Sequence, residues 1–262
     1  MLKEKVLLFI PVFNCKIQAL RVATKISAQN LDHFDEIVFI DNKSEDYTAD
    51  ALRNFIKNCG VSKLVKKVVV RVNSDNINLG GTHKVMFEYA IDNSFDYVAI
   101  LHGDDQGDIR DLISALDSGN HRKIDFYMGS RFMKGQDLEG YPFVRLIGNK
   151  IFNFIFSVLL RQKVYDLGSG LNIFKVSCLS KRFYENFPND LTFNYFFIAS
   201  VGMKKFSLDY FSHSWSETDQ RSNLSFVRNV KSLLKLIFLI FIKSSDFNKG
   251  ENNRLPKKFY FN

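Results

Sequence analysis

Runs of apolar residues alternate along this chain with stretches whose apolar positions recur at helical spacing. Residues 6–12 are continuously apolar and end on Pro11 and Asn14, which predicts a buried strand and a turn. Residues 16–29 carry Leu20, Ala23 and Ile26 at helical spacing. A second strand is expected over 36–40, closed by the polar run from Asp41 to Asp46, and a helix over 48–58. A strand over 66–72 follows, then a helix opened by Gly80-Gly81 and running through Ala90, then an apolar strand over 97–101. Strand alternating with helix in this way predicts a parallel, doubly wound sheet.

Beyond residue 110 the rhythm changes. Residues 124–128 read as a short strand, 135–141 as a polar, Gly-containing loop, and 143–160 as a long Phe- and Ile-rich helix. Lys150 interrupts that helix, and Arg145 and Arg161 lie near its ends. Its composition favours a core helix, with a membrane-facing amphipathic helix as the alternative. The apolar stretch 233–242 falls short of the roughly 20 residues needed to span a bilayer. It reads either as a core helix with a solvated basic end or as an interfacial helix on an anionic leaflet. No internal repeat or low-complexity linker divides the chain.

Charge changes the picture at one end. The formal net charge is +8 over 262 residues. Residues 228–262 hold eight Lys/Arg against Asp246 and Glu251, or +6, which leaves +2 on residues 1–227. A nearly neutral body therefore carries a basic tail. No RNA- or DNA-binding motif accompanies the charge, so nucleic acid is not an expected partner. Cys15, Cys59 and Cys178 lie far apart without metal spacing, which suits reduced thiols in the cytoplasm. The charged amino terminus leads straight into a strand, so no secretory signal is expected.

Candidate chemistry collects at the strand ends. The strand 97–101 runs into His102-Gly103-Asp104-Asp105-Gln106. Carboxylates at the carboxyl end of a strand in an open α/β sheet lie where such folds bind ligands. Oxygen ligands of this kind suit Mg²⁺ or Mn²⁺, and those ions suit a diphosphate. The first strand ends on Pro11-Val12-Phe13-Asn14 and the second on Asp41, and Asn78-Leu79-Gly80-Gly81 forms a turn that permits close backbone approach. A nucleotide laid across these ends meets an Asp for its base or ribose and a metal site for its diphosphate. Singly, each feature is also what an ordinary turn contains; their joint order is not.

With Gly129-Ser130-Arg131 and Asp166-Leu167-Gly168-Ser169-Gly170-Leu171, these segments resemble the family 2 glycosyltransferases of GT-A fold over about residues 5–230. The resemblance is greatest to the dolichyl-phosphate-mannose-synthase-like branch. It implies an α/β fold, a mostly parallel nucleotide-binding sheet flanked by helices, in one continuous domain. The nucleotide half would end near residue 110, the acceptor half would span 111–227, and the basic tail 228–262. It implies a metal-dependent, inverting hexosyltransferase using a GDP- or UDP-sugar. Pro11, Phe13 and Asp41 would hold the nucleoside, and Gly80 and Gly81 would lie along the donor. Asp104 matches the metal-binding second carboxylate of the family's DXD motif, and Gln106 the glutamine that follows it. His102 stands at the motif's first Asp, where it becomes a third candidate ligand for Mg²⁺ or Mn²⁺. Arg131 would face the donor or acceptor phosphates, and Arg145 the acceptor phosphate. Asp166 and Ser169 would line the sugar site, and Arg221 falls in a loosely matched late Arg-rich segment. Asn42 replaces a common second Asp after Asp41.

The acceptor is read from a missing base. Relatives that glycosylate a hydroxyl place an Asp near the helix that here spans 191–197, a stretch without a carboxylate; Asp190 lies just before it. A hydroxyl acceptor needs a general base. An ionised phosphate needs cations to position it instead, and arginines supply those. The expected acceptor is therefore a polyprenyl phosphate at the cytoplasmic membrane face, with the 143–160 helix and the tail holding the enzyme there as a peripheral protein. The alternative is a hydroxyl of a lipid-linked or surface-polysaccharide glycan, with Asp190 as base. A sugar-1-phosphate nucleotidyltransferase would want a Gly-rich phosphate loop where this chain has Phe13-Asn14-Cys15-Lys16. A non-catalytic membrane-binding module is the third class considered.

Overall fold

The computed structural model describes residues 3–133, 138–139, 141–216, 219 and 226–242. Strands β1 (Val6–Val12) and β4 (Tyr97–Leu101) are buried at every position, as central strands covered on both faces must be. They occupy the middle of a seven-stranded sheet ordered β3 (Val68–Val72), β2 (Glu36–Asp41), β1, β4, β7 (Leu171–Lys175), β5 (Phe126–Ser130), β8 (Leu208–Ser212). Neighbouring strands are parallel except at β7, which runs antiparallel to both β4 and β5. The fold is therefore α/β with a mostly parallel sheet, and β7 interrupts the fully parallel arrangement that the strand–helix alternation predicts. Neither β7 nor β8 shows in the sequence as an apolar run, because Asn172, Lys175, Asp209 and Ser212 break them.

Alternation along β1 splits the core in two. Leu7 and Phe9 face one side with Phe87 of α4 (Asn78–Asp92) and with Phe193, Phe197 and Val201 of α8 (Phe193–Met203). Leu8 and Ile10 face the other, with Ala19 of α1 (Lys16–Ser27), Leu52 of α2 (Thr48–Asn58) and Leu112 of α5 (Ile109–Asp117). The strand expected over 66–72 starts only at Val68, because residues before it form α3 (Ser62–Lys67). A four-residue helix, α7 (Val176–Leu179), follows β7. A two-stranded ribbon pairs β6 (Leu138–Glu139) with β9 (Trp215–Ser216).

The long helix α6 (Phe143–Leu160) has the predicted bounds, but the core role favoured by its composition is overturned. Only Asn153 and Phe156 of it are buried. Val144, Ile147, Ile151, Phe154 and Val158, spaced by three and four residues, form one exposed apolar stripe. Helix α9 (Phe226–Phe241) packs against α6 and α8 and buries Leu233, Leu236 and Ile240 in the core. It includes residues 227 and 228, where the sequence places the start of the basic tail. Leu234 and Phe238 of α9, with Ile242 just beyond it, are exposed.

Candidate active site

One end of the sheet gathers the motif residues. Val12 pairs with Asp41, Leu101 with Leu171, and Ser130 with Ser212. The ends of β1, β2, β4, β5 and β8 and the start of β7 therefore lie side by side. His102, Arg131 and His213 follow three of these strand ends, and the 166–170 loop leads into β7. Gly103 lets the chain leaving β4 cross the end of β1: its N donates to Pro11 O at 3.1 Å, and a Cβ there would meet Val12 Cγ1 at 2.3 Å.

The two adjacent carboxylates are in different environments. Asp105 has a left-handed backbone (φ 62) and is bound at 2.6 Å by both Arg21 Nε and Lys25 Nζ from α1. Asp104 accepts a hydrogen bond from Gln106 N at 3.3 Å, and no cationic side chain among the described residues pairs with it. Burial pushes its carboxyl up to about 6, with the Asp105 charge adding to the shift. A desolvated carboxylate with no paired cation is a site that a divalent ion would complete. No group of three or more His, Cys, Asp and Glu among the described residues forms a metal cage. Asp104 and the neighbouring Gln106 nonetheless fit Mg²⁺ or Mn²⁺ used with a diphosphate. Such ions are commonly held by one or two carboxylates, with substrate phosphates and water filling the other positions.

His102 sits over Gly170, with its ring centroid 5.8 Å from that of His83. Its Nε2 is buried without a hydrogen-bond partner. Burial lowers its pKa to about 4, helped by Arg131, so the ring is neutral at pH 7.

Arg131 is engaged by Asp166. Its Nε and Nη2 reach Asp166 Oδ2 and Oδ1 at 2.7 and 2.8 Å, in a buried bidentate pair. The backbone N of Arg131 and of Gly168 also donate to that carboxylate. Burial raises the Asp166 carboxyl, but Arg131 and these N–H groups outweigh it and hold the pKa below the usual range. Two further aromatic side chains face the pair. The Arg131 and Arg145 guanidinium carbons lie 5.8 and 5.0 Å from the Tyr141 ring centroid. Desolvation raises the pKa of the half-buried Tyr195 hydroxyl, which also feels the charges of Arg131, Asp166 and Arg145. Ser169 Oγ lies 3.1 Å from His213 Nε2, and His213 Nδ1 lies 2.7 Å from Ser214 O. That carbonyl requires the proton on Nδ1, so Nε2 of the neutral ring is an acceptor facing Ser169 Oγ, whose one proton is also within reach of Leu171 O at 3.1 Å.

The remaining predicted positions have these placements. Both Asp41 oxygens accept backbone N–H groups, from Ser44 at 2.7 Å and Ala49 at 3.0 Å, so Asp41 shapes the loop leading into α2. Pro11 is buried within β1, and Phe13 beside it is 38% exposed. Gly80 and Gly81 lie in the first turn of α4 rather than in a turn before it. A Cβ on Gly80 would sit 2.6 Å from Pro188 O and 2.7 Å from Phe193 Cβ, so the close approach it permits is to the chain's own loop. Asp190 is exposed and accepts from both the N and Oγ1 of Thr192 at the start of α8. Arg221 lies outside the described residues. Arg21, Lys25, Tyr141, Tyr195 and His213 were not anticipated. Only Arg21 and Lys25 carried a signal, two cations four residues apart on one helical face.

Residues 8–183, 176 of the 262, match the family model Glycosyl transferase family 2. The fold is similar to mannosyl-3-phosphoglycerate synthase from Rubrobacter xylanophilus (TM-score 0.63, 14% identity, 97% of this chain and 78% of that one). It is similar to glucosyl-3-phosphoglycerate synthase from Mycobacterium tuberculosis, solved with Mn²⁺, uridine diphosphate and glucosyl-3-phosphoglycerate (TM-score 0.58, 11% identity, 92% and 79%). It is also similar to S. aureus TarS 1-349 in complex with UDP-GlcNAc (TM-score 0.58, 14% identity, 92% and 67%). At such identities these likenesses establish the GT-A-like fold alone. The family match over two thirds of the sequence, laid on that fold, makes this chain a member of glycosyl transferase family 2 and an enzyme of that class.

Proposed function

We propose that the protein moves a hexose from a nucleotide-diphosphate donor to a polyprenyl phosphate at the cytoplasmic face of a membrane, as in the dolichyl-phosphate-mannose-synthase-like branch. One observation carries the acceptor reading. The first turn of α6 brings Arg145 to Tyr141, beside Arg131, and the same helix leaves an apolar stripe bare from Val144 to Val158. A cation at the site and a hydrocarbon-compatible face on one helix match a phosphate headgroup with an isoprenoid chain. Neither α6 nor α9 contains an Asp or Glu, while Lys150, Arg161, Lys163 and Lys235 are exposed, which complements an anionic leaflet.

In the reaction, an acceptor phosphate oxygen attacks the anomeric carbon from the face opposite the nucleotide. The bond from that carbon to the diphosphate oxygen breaks, and its electron pair leaves with the nucleoside diphosphate. The phosphate is already ionised, so no base is required; α8, with the sequence FNYFFIASVGM, carries no carboxylate. Asp104 and Gln106 would hold Mg²⁺ or Mn²⁺, which supplies charge neutralisation on the departing diphosphate. The donor assignment is supported by the UDP and UDP-GlcNAc complexes of the structural neighbours. The Arg131–Asp166 pair, rigid and buried, keeps the sugar-side loop in place beside the metal turn.

The test is nucleotide release from UDP- and GDP-sugars with Mn²⁺ or Mg²⁺, with and without a short-chain polyprenyl phosphate. Release that depends on the lipid phosphate is the expected result. Release that instead requires a glycan hydroxyl would replace the acceptor reading and return Asp190 to consideration as base.

A further inference from the structure

The two carboxylates of the metal turn are sorted by α1, and the same helix reaches across to Asp219. Arg21 uses three of its donors. Nε holds Asp105 at 2.6 Å, while Nη1 and Nη2 hold the two oxygens of Asp219 at 2.8 Å each. Lys25 takes the other Asp105 oxygen at 2.6 Å. Two further contacts run along this seam. Ser216 N donates to Gln106 O at 3.1 Å, and Ser214 donates through N and Oγ to Asp111 at 2.8 and 2.7 Å. Residues 214, 216 and 219 are thus fastened to the segment 105–111, with one guanidinium common to both.

Asp105 has a φ of 62°, a left-handed conformation that Asp adopts more readily than most residues bearing a Cβ. Arg21 and Lys25 hold its carboxylate on the α1 side of that turn. The left-handed turn sends Asp105 towards α1 and leaves Asp104 without a cationic partner. Without the clamp, the turn that carries Asp104 and Gln106 is no longer fastened to α1.

We propose that Arg21 is a positioning residue for the cation and the donor. By holding Asp105 it leaves Asp104 unpaired for the divalent ion, and by holding Asp219 it ties that residue to the same turn. The inference rests on the assignment of Asp104 as cation ligand. Arg21 and Asp219 meet at the surface, so the bidentate geometry and the shared network, rather than a lone surface pair, give the contact its influence.

The experiment measures Mn²⁺ binding through the electron paramagnetic resonance signal of the free ion, with UDP or GDP present, alongside donor KM and kcat. Arg21→Gln is expected to weaken Mn²⁺ by about tenfold and to raise donor KM, because Lys25 alone then holds the turn that presents Asp104 and Gln106. Arg21→Lys restores part of the Mn²⁺ affinity through Asp105 but not the donor KM, because an ammonium lacks the fork for Asp219. Asp219→Asn raises donor KM with Mn²⁺ affinity intact, and adds nothing when combined with Arg21→Gln. Melting curves accompany each variant, and if Arg21→Gln fails to fold, Arg21→Lys and Asp219→Asn carry the test. Parent-like Mn²⁺ affinity and KM in Arg21→Gln, while Asp104→Asn loses the ion, overturn the proposal. Asp104→Asn that binds Mn²⁺ as tightly as the parent overturns the cation assignment and the proposal with it.

Discussion

Asp104 and Asn42 show how much one side chain's surroundings decide. The Asp104 carboxyl has a folded pKa of about 6, above the roughly 3.9 of an unfolded chain. Its protonated form favours folding, so that stability is present in full below about pH 4 and is lost as pH rises through about 6. Asp104→Asn should therefore melt at the same temperature as the parent near pH 4 and higher at pH 8 in chelator, by up to about 3 kcal/mol. Turnover should be abolished in the same variant. Melts that differ equally at both pH values would show that the carboxylate is not desolvated. Asn42 is buried, donates to Asn76 Oδ1 at 2.7 Å, and accepts from Asn73 Nδ2 and Ile77 N at 3.0 Å. An ionised Asp cannot make that donation. Asn42→Asp is expected to cost about 1–3 kcal/mol in urea denaturation at pH 7; an unchanged midpoint would remove the network from the account.

Elements were legible where one physical pattern dominated. The bounds of α2, β4 and α6 agree with the sequence reading because apolar spacing, flanked by polar residues, is a local property. Strands β7 and β8 were not, since each draws its stability from neighbours distant in sequence. Gly80-Gly81 illustrates the limit. In sequence the pair reads as a turn opening a helix and permitting close backbone approach, and in the fold α4 uses Gly80 to pack against Pro188 and Phe193. Gly80→Ala puts a methyl within 2.6 Å of a backbone oxygen. Overpacking against backbone that cannot yield should cost roughly 1–3 kcal/mol and shift the loop entering α8. Calorimetric melting that is unchanged in Gly80→Ala would contradict that packing.

The whole molecule presents a charged and an apolar contribution on adjoining helices. Helices α6 and α9 touch, and each shows an apolar stripe to solvent. Under the membrane reading, Ile151 and Phe154 each bury their side chains in the lipid interface, worth roughly 1.5–3 kcal/mol apiece. Ile151→Asp with Phe154→Asp should thus lower binding to vesicles of mixed neutral and anionic lipid by about 100-fold or more. The melting temperature should barely move, because both positions are exposed. Vesicle co-sedimentation at low and high salt reads both contributions, and parent-like binding by the double variant would assign the stripe to another use.

The sequence by itself determined the alternation of strands and helices, the basic end of the chain, and the order of short motifs that marks the family. These are properties of residue type and spacing, which survive without any knowledge of what touches what. Tertiary structure decided everything that depends on choosing between equals. Asp104 and Asp105 are adjacent and chemically identical, and only the arrival of Arg21 and Lys25 from α1 separates the paired carboxylate from the unpaired one. Arg131 and Arg145 are both arginines, and only the fold gives one to Asp166 and sets the other against Tyr141. An apolar helix is the same string whether buried or bare; whether α6 faces core or solvent was fixed by which elements the sheet left room to cover it.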